Sequence, residues 1–155
     1  MRVASPKLLN TWLVVSFLGF IDAAYLSASH FTHVSLPCTI THGCEIVTSS
    51  TYAVTFGIPV ALFGAAYYLS VFFGIVTYKE TKNPALLRGI SLLTVSGLAA
   101  SAWFLYVQAF LLRAFCQYCL LSAITSTVLF ALGMYTLHFL KTSSSGPSPH
   151  AVPSE

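Results

Sequence analysis

Four long apolar stretches divide the chain, and its polar residues collect in the short segments between them. The stretches run from about Leu8 to His30, Gly57 to Thr77, Gly89 to Leu112 and Ala114 to Leu140. At roughly 1.5 Å per helical residue, each can cross the roughly 30 Å hydrocarbon core of a bilayer. Lipid offers no partner to a backbone N–H or C=O, so a spanning segment must satisfy its own hydrogen bonds as a helix. The pattern predicts an all-α membrane protein, a four-transmembrane-helix bundle occupying residues 1–141 and bearing an outer cysteine-containing loop. Tyr78–Arg88, with Asn83-Pro84, reads as a turn between helices. Residues 142–155, rich in Ser and Pro without apolar period, read as a disordered cytoplasmic tail.

Charge gives the spans a direction. Of the seven Lys and Arg, Arg2 and Lys7 precede the first span, Lys79, Lys82 and Arg88 separate the second from the third, and Lys141 follows the fourth. Only Arg113 lies in the turn between the third and fourth spans, and Phe31–Phe56 has no Lys or Arg. Positive residues stay on the cytoplasmic side, so both termini are expected there and the Phe31–Phe56 loop outside. Arg2 and Lys7, an apolar run and then Ser27-Ala28-Ser29 also match a cleavable signal peptide. Against that, the run exceeds a usual signal core of about 7–15 residues, and Asp22 interrupts it.

Composition narrows the class further. Of 155 residues, 56% are hydrophobic and 7% charged, where a soluble chain carries about 25% charged residues. A net charge of +3, dispersed along the chain, makes no phosphate-binding patch, so nucleic acid is not an expected partner. The lipid bilayer is.

All four cysteines fall on the side predicted to be outside, where disulfides persist. Cys38 and Cys44 sit in the long loop, with Pro37 before them and Gly43 between them. Such a loop is mobile enough to carry a disulfide from a partner to the membrane. Cys116-Gln117-Tyr118-Cys119 is a dithiol opening the fourth helix, with both thiols on one helix face. The helix dipole favours a thiolate there, and Arg113 adds to it. The bland alternative is a bundle stapled by two inert disulfides. A rival from another class is a metal-binding membrane protein that uses the outer loop, since His30, His33, Cys38, His42 and Cys44 are all potential ligands. Their spacing matches no tight finger, and Cys116 and Cys119 would then have no role, so no metal site is assigned.

The run Cys44-x-x-Val47-x-x-Ser50, then Gly57-Ile58-Pro59 with Phe63-Gly64, then Phe115-Cys116-Gln117-Tyr118-Cys119, resembles the vitamin K epoxide reductase family. Its prokaryotic members, which reoxidise disulfide-forming proteins, are the nearest in pattern, and Tyr25 and His30 also fit. The resemblance covers about Leu8 to Leu140. It implies a four-helix bundle around a quinone of the ubiquinone or menaquinone class, with electrons passing through both cysteine pairs. Carried over, Cys38 exchanges with a separate thioredoxin-like protein outside, Cys44 links transiently to Cys116, and Cys119 faces the quinone. Ser50 matches the family's serine near the reacting groups. Phe63, Tyr67, Tyr68 and Phe115 are the candidate quinone contacts. A bacterial or archaeal cytoplasmic membrane suits this pattern better than the endoplasmic reticulum.

Two positions depart from the family. Val60 stands where many members carry a quinone-binding Asn, and Ser122-Ala123-Ile124 where the animal enzymes have Thr-Tyr-Ala. Vitamin K quinone or epoxide reduction on the same relay is the alternative activity, and these departures bear most on it. Asp22, the only acidic residue well inside a span, is a functional candidate by default. With Tyr25 and Ser29 it falls on one helix face, expected to look into the bundle and to handle quinone protons.

Overall fold

The computed structural model describes residues 5–32, 43–55 and 57–144. Four helices long and apolar enough to cross a membrane form a ring: α1 (Pro6–Thr32), α3 (Val60–Thr81), α4 (Pro84–Tyr106) and α5 (Gln117–Ser144). Helix α1 packs on α3 and α5, and α4 packs on α5 and α3. The architecture is the all-α multi-pass bundle that hydropathy predicts. Its outward faces are apolar, with Val14, Phe17, Leu18 and Ile21 all exposed on α1. The inward stripe Leu9, Trp12, Ser16, Gly19, Ala23, Leu26 repeats every three or four residues.

Lipid is as apolar as leucine, so close packing rather than water exclusion holds such helices together. Small residues make room for large ones. A Cβ at Gly19 would overlap the Tyr68 ring, and one at Gly97 the Tyr67 ring, so each glycine lets an α3 tyrosine lie flat against a neighbouring helix. Buried Ser16, Ser27, Ser91 and Thr136 return their hydroxyl protons to carbonyls three or four residues earlier on the same helix. Tyr68 ties α3 to α5, its hydroxyl lying 2.8 Å from Thr125 Oγ1 and 2.9 Å from Ser126 Oγ.

The helix boundaries differ from those expected in informative ways. The α3–α4 turn is only Lys82 and Asn83, not Tyr78–Arg88. Lys82 takes the left-handed conformation at φ 52° and donates its N–H to Tyr78 O, closing α3. Asn83 Oδ1 then accepts the Ala85 N–H at 2.9 Å, and Pro84 supplies the first helical φ of α4. Between α1 and α3 lie the short α2 (Cys44–Thr48), a 3₁₀ turn (Thr51–Ala53) and a two-stranded hairpin. In that hairpin β1 (Val54–Thr55) pairs antiparallel with β2 (Ile58–Pro59). Gly57, expected to begin the second span, instead turns this hairpin at φ 79°. Helix α4 ends in a π-helical turn, Val107–Leu112, and α5 starts at Gln117 rather than Ala114.

Candidate active site

The approach of Cys44 to the α4–α5 link begins with Gly43. Its backbone, at φ −101° and ψ 2°, is open to any residue, so the glycine is explained by space. A Cβ there would stand 2.8 Å from both the N and the O of Phe115 and 2.9 Å from Ala114 Cβ. Backbone cannot swing aside as a side chain can. The segment therefore lies directly on the link, and Cys44 is buried beside it at 1% exposure. Leu26, Cys44, Val47, Ala114 and Cys116 make one buried cluster, against which Tyr118 and Cys119 pack. Cys44 is disulfide-bonded, whereas Cys116 and Cys119 are free thiols. Cys38, His33 and His42 lie outside the described residues. The loop was expected to be mobile; its described part, from Gly43 onward, is packed onto the bundle.

Cys116 occupies the cap position of α5, its carbonyl accepting the Leu120 N–H at 3.0 Å. Its sulfur accepts hydrogen bonds from the Cys119 thiol and from the backbone N–H groups of Cys119 and Tyr118. The Cys119 thiol is the largest influence and burial opposes it; together they lower the Cys116 thiol from 9.0 to about 6. The Cys119 thiol and the first N–H groups of the helix thus favour the thiolate form of Cys116. Arg113 has a different part from the one expected. Its side chain is exposed, the groups that lower Cys116 do not include it, and its left-handed backbone at φ 49° closes the π-helical turn.

Gln108, a residue the sequence reading passed over, holds this link from inside. It is 1% exposed, and its Oε1 accepts the Cys116 N–H at 2.8 Å. Its own carbonyl accepts the Arg113 and Ala114 N–H groups, a pattern that the π-helical register makes possible. The signal in the sequence was a lone amide in the apolar run before the dithiol.

Between the helices lies a cavity of about 390 Å³, within the usual range for a small-molecule site. Cys119 lines it, together with Gln108, Ser50 and apolar residues of α1, α3 and α4. Cys116 sits behind that wall in the Cys44 cluster, so the dithiol connects two environments.

The model of the vitamin K epoxide reductase family matches residues 11–134 of this chain. The chain belongs to that family. It is also similar to the thiol-disulfide oxidoreductase LTO1 of Arabidopsis thaliana, 35% identical over 127 residues. That match covers 74% of this chain and 32% of the plant protein, so the chain spans about a third of its relative's length.

Against this family background the other predicted residues separate. Phe63, Tyr67 and Tyr68 line the cavity, as does His30. Phe115 is not among the residues that line it; it is 44% exposed on the α4–α5 link, where its backbone meets Gly43. Ser50 lines the cavity but donates its hydroxyl to Val47 O at 2.7 Å. Asp22 is buried at 6% exposure, and neither carboxyl oxygen has a partner among the described residues. It is not part of the cavity lining, yet it lies within electrostatic range of Cys116 and Cys119. Tyr25 does not share its burial. That ring is exposed and packs on Tyr118 at 5.4 Å between centroids, so the inward face of α1 runs through Asp22 and Leu26 instead.

Proposed function

We propose that this protein is a membrane thiol–disulfide oxidoreductase that moves electrons from extracytoplasmic protein thiols to a quinone and so supports disulfide formation. The observation that carries the reading is the double placement of the dithiol. Cys116 packs against Cys44 while Cys119, one helical turn on, lines an apolar cavity. The cavity fits a quinone head group in volume and in apolar character, with a thiol on its wall and a buried hydroxyl, that of Tyr67, that has no partner among the described residues.

In this reading Cys38 and Cys44 exchange with a separate thioredoxin-like protein at the outer face. The reduced Cys44 attacks Cys116 when the inner pair is a disulfide, forming a Cys44–Cys116 link and releasing Cys119. A second exchange restores the Cys38–Cys44 disulfide and leaves Cys116 and Cys119 as a dithiol. Oxidation of that dithiol releases two electrons and two protons at the cavity wall, and a quinone held there supplies the acceptor for both. The lowered pKa of Cys116 suits it to exchange at neutral pH. Asp22, whose buried carboxyl oxygens have no partner among the described residues, takes up and passes on thiol protons; the neighbours it senses are Cys116 and Cys119.

The test is an acid-quenched thiol count by alkylation and mass spectrometry on protein in its own membranes. Thiols should appear on addition of a reduced thioredoxin-like donor and disappear on addition of quinone. Replacing Cys119 by Ala should lower quinone reduction by roughly 10³-fold or more, as for removal of any obligatory nucleophile. Wild-type turnover in that variant would refute the relay. Asp22→Asn should slow turnover and alter its pH profile, and an unchanged profile would remove the carboxylate from the mechanism.

A further inference from the structure

A quinone carbonyl accepts hydrogen bonds and donates none, so a residue that fixes the ring in an apolar cavity must have a proton to give. Several hydroxyls on this cavity are already engaged. Ser50 donates to Val47 O at 2.7 Å and Ser96 to Leu93 O at 2.7 Å. Ser122 and Ser126 are engaged with the Tyr68 hydroxyl at 3.0 and 2.9 Å. Val60, which lines the same cavity two turns before Tyr67, has no polar group.

Tyr67 is different. Its hydroxyl is buried, lies on a side chain that lines the cavity, and has no partner among the described residues. The neighbouring Tyr68 shows the contrast: the two rings meet edge to face at 5.1 Å, yet its hydroxyl reaches four α5 oxygens. Nor is Tyr67 placed by default. The missing Cβ of Gly97 is the space its Cζ and hydroxyl oxygen occupy, so α4 gives up a side chain to seat this hydroxyl. A donor left unmet in a medium without water costs free energy, which a bound acceptor recovers.

We infer that Tyr67 is the hydrogen-bond donor to a quinone carbonyl, setting the depth of the ring against Cys119. The inference rests on the reading of the cavity given above and adds to it the residue that orients the acceptor. The hydroxyl donates to an oxygen on which negative charge accumulates during reduction, so its hydrogen bond strengthens as the reaction proceeds. Tyr67 therefore contributes both to quinone affinity and to the rate of the final transfer.

Tyr67→Phe is the direct test, because it deletes an unpartnered oxygen and leaves the ring that Gly97 accommodates. Full-length protein in lipid nanodiscs is titrated with decyl-ubiquinone, and in parallel with menadione. Infrared difference spectra then report the carbonyl stretch of the bound probe. Wild-type protein should show a carbonyl band shifted to lower frequency; Tyr67→Phe should lose that shift and bind about 3- to 10-fold more weakly, the usual scale of one hydrogen bond. Its melting temperature and its exchange with a thiol donor should stay at wild-type values. Wild-type affinity and an unchanged band in the variant would overturn the assignment while leaving the relay intact. Wild-type protein that binds neither probe, with a Cys116–Cys119 dithiol that quinone fails to oxidise, would instead bring down the cavity reading and this inference with it.

Discussion

The two ends of the bundle solve the same packing problem in opposite ways. At the end carrying the Lys82–Asn83 link, Trp12, Val71, Ile75 and Leu87 are buried to 1% exposure or less, and the turn is fully capped. A Cβ at Gly74 would stand 2.8 Å from Ile90 Cδ1, so α3 and α4 are in direct contact there. At the cysteine end the helices give way to a π-helical turn, a 3₁₀ turn and a hairpin around a cavity of about 390 Å³. Among the described residues, buried polar atoms without partners occur at both ends: Trp12 Nε1 at the sealed one, the Asp22 carboxyl and the Tyr67 hydroxyl toward the cysteines. Regular structure is given up around the thiols and the cavity, and kept at the sealed end.

The largest effect that can break this contrast is expected from Gly43→Ala. Its Cβ would press on the Phe115 backbone and lift Cys44 away from Cys116. A displacement of about 1 Å costs roughly 10²-fold in a reaction between positioned groups. Stopped-flow measurement of exchange between the outer and inner pairs should show that loss, while quinone binding holds. An unchanged rate would mean that the Gly43 contact does not set the distance. Ile75→Ala probes the sealed end. In lipid the water-transfer term falls away, and the cavity left by the missing atoms costs about 2 kcal/mol of stability. Chemical unfolding in detergent should report it, with kcat within a factor of two of wild type. A large loss of turnover would show that the sealed end is not a passive support.

The sealed end was the more legible one in the sequence. Four apolar runs place its helices through local rules that composition and period carry, and Asn83-Pro84 marks the turn between two of them without giving its two-residue length. The cysteine end was legible in its chemistry but not in its geometry. Cys116 and Cys119 could be placed at a helix start from spacing alone, whereas the contact of Gly43 with Phe115 joins residues 72 positions apart and leaves no periodic trace. Tyr67 and Tyr68 were alike as candidates because both are apolar-run tyrosines. Only the α5 oxygens around one hydroxyl, and their absence around the other, tell them apart. Phe115 and Arg113 were assigned by proximity in sequence to the dithiol, and the π-helical turn directs both side chains elsewhere. Gln108 was missed because a single amide in a span has many uses, and its bond to Cys116 N–H depends on that same irregular turn.

The pH response of the cysteine end gives a finer measure. Cys116 is a thiolate above its lowered pKa of about 6. The thiolate is lost as pH falls through that value, and exchange should slow with it. Alkylation of the reduced protein should therefore be half-maximal near pH 6 at Cys116. In Cys119→Ala the largest stabilising donor is gone, so the midpoint should move up toward the ordinary thiol value. A midpoint that stays put would assign the shift to the helix start alone.

The smallest effect is expected at the cap of α4, and it separates the two ends most cleanly. Asn83→Ala removes the acceptor of the Ala85 N–H, worth about 1 kcal/mol at a helix start. Asn83 sits at the opposite end of the bundle from the thiols, in a link of two residues whose neighbours Lys82 and Pro84 still fix the turn. Its loss should lower the melting temperature by a few degrees, since about 1 kcal/mol shifts a domain of this size by that much. The rate of inner-pair reoxidation by quinone should stay at its wild-type value. If reoxidation slowed in step with stability, the cavity would depend on the fraying of α3 and α4 at their far ends. The division of labour between the ends would then be a gradient along the bundle.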